Sequence, residues 1–303
     1  MIRKINFAYI FLFLAVLFWS GNFLVGKYAS YHQIPPFSLN FYRWLFAWLI
    51  LIPFTYNEII LNKNYIIDNY KFFILLGITS VTVFNSIVYY SLNFTQVISG
   101  VLMISTIPVM IMFISSILKI EKANKFQLIG VALSFLGVIT IITKANFDVL
   151  KNLNFNKGDL TMVVAMLSWA TYSALLKMKK HDVSQLCLLQ IIISFGLLFL
   201  IPVYIFEFIL GYRIEINLPF TLTLAYVVLF PGLLSFICWI KGISLIGPNR
   251  SGIFLHLMPI LSAIMAMIIF DERFMFFHAL GALFILSGIL TVSYTHLTLP
   301  TTY

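Results

Sequence analysis

The sequence predicts an all-α membrane protein with ten transmembrane helices, arranged as two inverted five-helix repeats. Composition is the first observation: 61% of the 303 residues are hydrophobic, only 10% are charged, and the mean hydropathy is +1.02. A soluble domain has about 45–50% apolar and about 25% charged residues, so this chain carries too little charge to cover itself in water. We therefore expect a polytopic protein embedded in the lipid bilayer.

An internal repeat is the second observation. Four features recur at a constant offset of 151 residues: a proline within an apolar stretch, a glutamate in a turn, and two glycines seven residues apart. The pairs are Pro108 and Pro259, Glu121 and Glu272, Gly130 and Gly281, and Gly137 and Gly288. Upstream, Trp19 and Lys27 recur as Trp169 and Lys177 at an offset of 150. The chain therefore consists of two similar halves in tandem.

Apolar stretches divided by glycine, proline and charged residues are the third observation. Each is roughly 18–22 residues long, which crosses about 30 Å of hydrocarbon as an α-helix. The predicted spans are 7–28, 38–56, 72–92, 97–118, 126–143, 160–178, 184–206, 219–240, 250–270 and 274–292. Backbone groups in lipid have no water to bond, so each span must be helical. Five spans in each half make the second half enter the membrane from the opposite side, which gives an inverted repeat.

The segment boundaries follow from this pattern. Residues 1–145 form the first repeat, 146–158 the linker and 159–292 the second repeat. Residues 293–303 are Thr-rich and lack Lys and Arg, which is out of character with the rest of the chain. They are either a native end or a non-native tail, and they enter no functional argument.

Loop charges predict the orientation. With the N-terminus inside, twelve Lys and Arg residues fall on the inner side and six on the outer side. Cytoplasmic loops are enriched in positive residues, so we expect an inner (plasma) membrane protein with both termini in the cytoplasm. The net charge of +9 has the same origin, so we expect no nucleic-acid partner. Two cysteines and five scattered histidines form no metal-binding spacing, and we expect neither a metal nor a cofactor.

Short motifs lie in the same order in the two halves. They are Phe18-Trp19-Ser20-Gly21-Asn22-Phe23, Arg43 and Tyr90-Ser91-Leu92 ahead of Pro108, and then Ser168-Trp169 and Ser244-Leu245 ahead of Pro259. Their order, spacing and duplication resemble the EamA-type transporters of the drug/metabolite transporter superfamily, over about residues 7–292. The resemblance implies ten helices in two inverted repeats around a central cavity, and export or exchange of small metabolites. It implies no single substrate, because the members differ widely.

Polar and aromatic side chains in the spans are the candidate substrate-binding residues. They are Trp19, Asn22, Asn85, Tyr89, Tyr90, Trp169, Tyr172, Trp239, Lys241 and His256. We expect Trp19 and Trp169 to face each other across a cavity, with Asn22 and Tyr172 three residues further along the same helix faces. For the two tryptophans the alternative is an interfacial or lipid-facing position, and for Asn22 it is a hydrogen bond between helices. For the other aromatic and polar pairs it is plain packing, since 17% of the chain is aromatic. For His256 the alternatives are a proton carrier, a substrate ligand or a structural hydrogen bond.

Arg43, Pro108 and Pro259 are the candidate hinge or gating residues. An ionisable group in a span costs roughly 2.5–3.5 kcal/mol on insertion scales and indicates a function by default. Arg43 lies near the start of its span, so extension of its head group to the surface is the alternative. Each proline lacks the N–H that closes the helix ladder, so it supplies either a hinge or a static bend. We expect Glu121, in a tight turn, to cap the helix that follows it.

The distribution of acidic residues separates the function classes. None of the ten lies in the middle of a span, whereas an exporter of cationic drugs would be expected to hold a buried carboxylate. We therefore expect a secondary transporter that moves small organic metabolites, with amino acids or related compounds first, by alternating access. The alternatives are a multidrug efflux transporter and a membrane-embedded lipid enzyme, which would need clustered His, Asp or Ser groups. Because two fused halves close the cavity alone, we expect a functional monomer. The sequence contains no such cluster of catalytic groups, so we expect that the protein is not an enzyme.

Overall fold

The computed structural model of the chain describes residues 2–95, 100, 103–146, 148–151, 156–178, 183–270 and 275–298. Within these ranges all regular structure is helical, as the sequence predicts. The first part contains α1 (Ile2–Ser20), α2 (Asn22–Tyr31), α3 (Pro36–Leu61), α4 (Lys63–Asp68), α5 (Tyr70–Gly77), the π-helix π1 (Ile78–Phe84), α6 (Asn85–Ser91), α7 (Ile107–Ile117) and α8 (Lys125–Ile142). The second part contains α9 (Asp148–Lys151), α10 (Lys157–Met178), α11 (Gln185–Ile209), α12 (Leu218–Val227), the π-helix π2 (Val228–Leu234), α13 (Ser235–Ile246), α14 (Pro248–Gly252), a 3₁₀ turn (Ile253–His256), α15 (Leu257–Phe270) and α16 (Phe276–Thr298).

Seven helical stretches among the described residues are long and apolar enough to cross a membrane, which fits a multi-pass membrane protein. They are Phe7–Tyr31, Pro36–Leu61, Tyr70–Ser91, Lys125–Ile142, Lys157–Met178, Gln185–Ile209 and Leu218–Ile246. Shorter apolar helices at Ile107–Ile117 and Phe276–Val292 fall within two further predicted spans. The count of ten therefore stays a prediction. Helix α16 continues to Thr298, past the predicted end at 292, while Glu272 and residues 299–303 lie outside the described residues.

Among the described residues, several of the predicted spans are not single regular α-helices. The first is interrupted at Gly21, the third and eighth contain π1 and π2, and the ninth passes from α14 through the 3₁₀ turn into α15. The π-helices begin at Ile78 and Val228, 150 residues apart, so they occupy equivalent positions in the sequence repeats. A π-helical turn displaces carbonyl groups from the α-helical ladder and is often found at functional sites.

Helices α8 and α16 contact each other through the two repeated glycine pairs. A Cβ added at Gly130 would lie 2.6 Å from the carbonyl oxygen of Gly288, and one at Gly137 would lie 2.5 Å from that of Gly281. The two backbones therefore meet directly, as the glycine spacing predicts. Because the first glycine of one helix lies opposite the second glycine of the other, the helices run antiparallel.

Helices from the two halves alternate in the interior. Helix α1 packs against α13, α3 packs against α11, and α10 packs against π1, α6 and α7. Large apolar side chains such as Phe113, Leu198 and Leu283 are exposed on the outer faces, where lipid surrounds a protein of this kind. This arrangement brings the C-terminal end of α1 together with the inner parts of α10 and α13 at the centre of the molecule.

Candidate functional site

Three tryptophans from different helices meet at this centre. Trp19 of α1 lies edge to face with Trp169 of α10, with ring centroids 5.1 Å apart. Trp239 of α13 lies 5.3 Å from Trp19 and 5.9 Å from Trp169. Tyr172 lies 5.1 Å from Trp169. These candidates therefore form one cluster, which we call the aromatic cluster, and they contact each other directly instead of facing across an open gap.

Three aromatic residues that the sequence did not single out complete the aromatic cluster. Phe236 lies 5.9 Å from Trp19 and 5.2 Å from Trp169. Phe84 lies 4.6 Å from Trp169, and Trp44 lies 4.9 Å from Phe236. Phe236 precedes the third tryptophan by three residues, so helical spacing could have identified it. Phe84 and Trp44 lie on other helices, and no sequence spacing links them to the cluster.

A small central cavity lies beside the aromatic cluster. Its volume is about 30 Å³, which is room for about two water molecules. Its lining residues are Trp19, Asn22, Phe84, Asn85, Val88, Ile104, Ile107, Trp169, Leu255 and Met258. They come from both halves, and none of these described residues is acidic. In this conformation the cavity is too small to hold a metabolite.

Arg43 of α3 is buried behind this cavity and bonded to neutral groups. Its Nη1 donates to Asn85 Oδ1 at 2.8 Å and to Tyr89 Oη at 2.7 Å. Its Nη2 donates at 2.9 Å to the carbonyl oxygen of Pro231 in π2, which also accepts from Trp19 Nε1 at 3.0 Å. The π-helical carbonyl thus joins the arginine to the aromatic cluster. Extension of Arg43 to the surface is wrong as an explanation, because its exposed fraction is 0%.

The charge of Arg43 has no acidic partner in the described structure. Within those residues no carboxylate oxygen lies within 4.0 Å of its nitrogens, and its buried Nε has no hydrogen-bond partner. Glu207, the acidic residue nearest to a span in the sequence, is used elsewhere. Its Oε2 accepts from the backbone N and the Oγ of Ser38, both at 2.6 Å, at the start of α3. A buried charge without an opposite charge is costly, and this one therefore points to a function.

A larger cavity, which we call the vestibule, opens at the helix ends on one face of the protein. Its volume is about 790 Å³, and its lining comes from residues between 30 and 37, between 90 and 94, and between 206 and 220. Tyr90 lines the vestibule and stacks on Phe37, with ring centroids 5.9 Å apart and planes inclined by 6°. The side chain of Tyr90 therefore lies in the vestibule and not at the central cavity, whereas that of its neighbour Tyr89 contacts Arg43.

His256 is buried in the 3₁₀ turn and links it to two other segments. Its Nε2 lies 2.9 Å from the carbonyl oxygen of Ser105, which can only accept, so Nε2 carries a proton. Its Nδ1 lies 2.5 Å from Ser134 Oγ in α8. His256 does not line the central cavity, although its neighbour Leu255 does. These contacts favour the structural role among the alternatives for this histidine.

The remaining candidates lie away from the central cavity. Lys241 is partly exposed, two residues beyond the tryptophan of α13, and it is not part of the cavity lining. Pro108 and Pro259 lie in the first turns of α7 and α15. A proline in the first turn of a helix removes no ladder hydrogen bond, and both helices begin directly after a turn, at 105–106 ahead of α7 and at Ile253–His256 ahead of α15. A hinge role for either proline stays a prediction.

Glu121, between α7 and α8, contacts the second half at the face opposite the vestibule. Its Oε2 accepts from Asn249 N at 3.4 Å, next to Gly247, where a Cβ would lie 2.7 Å from the same oxygen. The prediction that Glu121 caps α8 is wrong, because Asn124 and Gln127 form the capping box of that helix. Burial raises the pKa of the Glu121 carboxyl, and the hydrogen bond from Asn249 partly opposes this shift.

The chemistry available at the centre is that of binding. Aromatic faces lie beside the amide of Asn22, and Arg43 supplies a positive charge behind them. In the part of the chain that the structure describes, no three His, Cys, Asp or Glu side chains are grouped to hold a metal ion. The arrangement suits non-covalent contact with a small organic molecule.

Comparison with known proteins identifies relatives along the whole chain. The uncharacterized transporter YyaM of Bacillus subtilis (strain 168) is 26% identical over 288 residues, which cover 94% of this chain and 93% of that protein. The uncharacterized transporter YetK of the same organism is 27% identical over 297 residues, covering 95% and 87%. An uncharacterized transporter of Archaeoglobus fulgidus is 25% identical over 291 residues, covering 95% and 98%.

Fold and family comparisons agree with these relatives. One solved structure, described as "Crystal structure of protein", matches with a TM-score of 0.73 at 15% identity, covering 96% of this chain and 99% of that one, which shows a shared fold. The EamA-like transporter family matches twice, at residues 6–143 and 156–294. The chain therefore belongs to the EamA-like transporter family and is a membrane transporter.

Proposed function

We propose that this transporter moves small organic metabolites, with amino acids and related compounds first, across the inner membrane by alternating access, as export or exchange. The contact between Trp19 and Trp169 in the wall of the central cavity carries the proposal. These equivalent residues bring the two repeats to one site, beside the amide of Asn22. Aromatic faces next to a polar group suit a solute with an apolar body and a polar end. One chain supplies both walls, which supports a functional monomer.

Two contacts support an inverted arrangement of the repeats, with five spans in each. The antiparallel crossing of α8 and α16 sets equivalent helices in opposite directions, as an inverted repeat requires. Lys27 and Lys177 also act alike: Lys27 Nζ donates to the carbonyl of Leu92 at 3.0 Å, and Lys177 Nζ donates to that of Ser244 at 3.1 Å. Each lysine thus bonds near the C-terminal end of the helix that continues the third predicted span of its own half.

The difference between the two faces supports alternating access. The vestibule of about 790 Å³ lies on one face, the central cavity is too small for a metabolite, and Glu121 joins the two halves on the other face. Rocking of the repeats between this state and its opposite would expose the cavity to each side in turn. With both termini in the cytoplasm, the vestibule faces outward.

Charge at the centre favours metabolites over cationic drugs. Arg43 lies directly behind the cavity, bonded to the lining residue Asn85, and the described lining contains no carboxylate. A permanent cation would therefore enter a region of positive charge without an acidic group to hold it.

Flux into liposomes that contain the purified protein tests the proposal. Counterflow of radiolabelled amino acids, measured one compound at a time, is expected to reveal a subset that exchanges faster than in protein-free liposomes. A permanent organic cation measured in parallel is expected to show no such exchange. Robust flux of the cation, with no flux of any amino acid, would contradict the proposed substrate class.

A further inference from the structure

The hydrogen bonds around Arg43 have a fixed direction that leads to the central cavity. A guanidinium can only donate, so Tyr89 Oη accepts from Arg43 Nη1 at 2.7 Å. The single hydroxyl proton of Tyr89 is then donated to Asn22 Oδ1 at 3.1 Å. The amide of Asn22 therefore turns its oxygen toward Tyr89 and leaves both hydrogens of Nδ2 for other acceptors.

Asn22 brings a donor to the cavity wall. It lines the cavity, and across the described chain its Nδ2 donates to no protein atom. Asn85 also lines the cavity, but its Oδ1 accepts from Arg43 at 2.8 Å and its Nδ2 donates to the carbonyl of Ser80 at 2.8 Å. The polar part of the wall therefore presents an N–H group, polarised through Tyr89 by the positive charge of Arg43.

Protein groups do not neutralise that charge in the described residues. The carboxylates of the two buried acids, Glu207 and Asp159, lie at the starts of α3 and α10. Glu207 Oε2 accepts from Ser38 N at 2.6 Å, and Asp159 Oδ2 accepts from Asn156 N at 2.9 Å. Ionisable groups inside membrane proteins are stabilised by pairing with opposite charge. An anionic group on a solute bound at the cavity would supply this pairing for Arg43.

We propose that the central cavity recognises the carboxylate of its substrate, with Asn22 Nδ2 donating to it and Arg43 supplying the charge through Tyr89. This inference rests on the proposed function and narrows it to organic acids and zwitterions. The apolar part of the solute packs on Trp19 and Trp169, which line the same cavity. A neutral amide of the same shape offers an oxygen to Asn22 but no charge to Arg43, and charge-assisted hydrogen bonds are roughly twice as strong as neutral ones.

Equilibrium binding of phenylacetate and phenylacetamide to the purified full-length protein in detergent tests the inference. The two probes share their shape and differ in charge, and titration calorimetry measures their affinities without any need for transport. We expect phenylacetate to bind at least about tenfold more tightly than phenylacetamide.

Two variants ask whether the proposed residues cause this preference. Tyr89→Phe removes the hydroxyl that links Asn22 to Arg43 and keeps the ring, so the ratio of the two affinities is expected to fall to about one while phenylacetamide binding persists. Asn22→Asp places a carboxylate at the cavity wall and is expected to abolish phenylacetate binding. Asn146→Asp, the same substitution at an exposed position beyond α8, is the control and is expected to keep the ratio of the unaltered protein.

Three outcomes overturn the inference: equal binding of the two probes, no binding of phenylacetate, or a preference that survives both variants. Amino-acid flux in liposomes together with equal probe binding would remove the carboxylate site and leave the proposed function standing. The expected binding pattern without any flux would support the site and contradict the transport proposal.

Discussion

Trp19 and Trp169, equivalent residues of the two sequence repeats, lie edge to face with ring centroids 5.1 Å apart at the wall of a cavity of about 30 Å³. Aromatic pairs of this geometry contribute about 0.5–1.5 kcal/mol beyond the burial of their area. A metabolite has room there only when the surrounding rings move apart. We therefore expect this contact to break and re-form as the transporter cycles between its two faces.

Replacement of Trp169 tests this role. Its exposed fraction is 1%, and Trp169→Ala is expected to lower solute flux in liposomes at least about tenfold and to cost about 3–5 kcal/mol of stability. Trp169→Phe keeps an aromatic face and is expected to retain more flux than the alanine variant. Flux is measured by counterflow, and thermal unfolding in detergent reports stability.

Trp48→Ala is the matched control for that experiment. Trp48 lies between α3 and α11 in an apolar groove away from the aromatic cluster, with Nε1 donating to Ser194 Oγ at 2.8 Å. We expect this variant to keep its flux even where its stability falls. Equal loss of flux in both alanine variants would show that packing, and not the central site, explains the effect.

Substitution of the repeated glycines is expected to separate α8 from α16. Gly137→Ala would place a Cβ 2.5 Å from the carbonyl oxygen of Gly281, and Gly281→Ala would place one 2.8 Å from that of Gly137. Overpacking of a close contact costs about 1–3 kcal/mol, so we expect a lower midpoint of thermal unfolding in each variant. Leu136→Ala alters the residue just before Gly137, on an exposed face of α8, and is expected to change the midpoint little. A midpoint unchanged by both glycine substitutions would argue against the close crossing.

Loss of His256 is expected to loosen the 3₁₀ turn. His256→Leu leaves the carbonyl of Ser105 and the hydroxyl of Ser134 without their contacts to the ring. Each hydrogen bond to the ring that is lost costs about 0.5–1.5 kcal/mol. Ser134→Ala removes only the partner of Nδ1 and is expected to be milder, since Nε2 still donates to Ser105. Denaturant titration of the solubilised protein measures the free energy of unfolding of the two variants. A larger loss in Ser134→Ala than in His256→Leu would contradict this account of the histidine.

The pH dependence of stability is expected to depend in part on Glu121. Burial raises the pKa of its carboxyl above the value in the unfolded chain, so the folded state takes up a proton first as the pH falls. Between the two pKa values the folded state therefore binds more protons, and the free energy of unfolding falls as the pH rises through this interval. Glu121→Gln removes the titrating group and is expected to flatten this part of the profile.

Thermal unfolding from about pH 4 to pH 8 measures that effect, because this range includes the ordinary and raised values for a carboxyl. Asp148→Asn is the control, since Asp148 forms an exposed ion pair with Lys151 at 3.0 Å. It is expected to leave the slope of the profile as it is in the unaltered protein. Parallel profiles for all three proteins would remove Glu121 as the source of the slope.

The sequence identified residues that the structure joins to one another where the physical rule was local. Buried polar and aromatic residues in membrane helices must find partners, and this rule singled out Asn22, Asn85 and Tyr89, which the structure joins to Arg43. The rule could not separate Tyr89 from Tyr90, although adjacent positions point about 100° apart on a helix. One tyrosine reaches the arginine, and the other lines the vestibule.

The sequence by itself determined that this chain is a membrane protein, where most of its spans lie, and that it consists of two similar halves. Those properties follow from the length of apolar stretches and the recurrence of residues along the chain, which need no knowledge of neighbours in space. Only the tertiary structure decided that Pro231 would supply a carbonyl to Arg43 and that Glu121 would reach Asn249 in the other half. The π-helical and 3₁₀ segments change which side chains and carbonyl groups point into the interior. Each buried polar group then bonds to whichever partner the packed helices bring within reach.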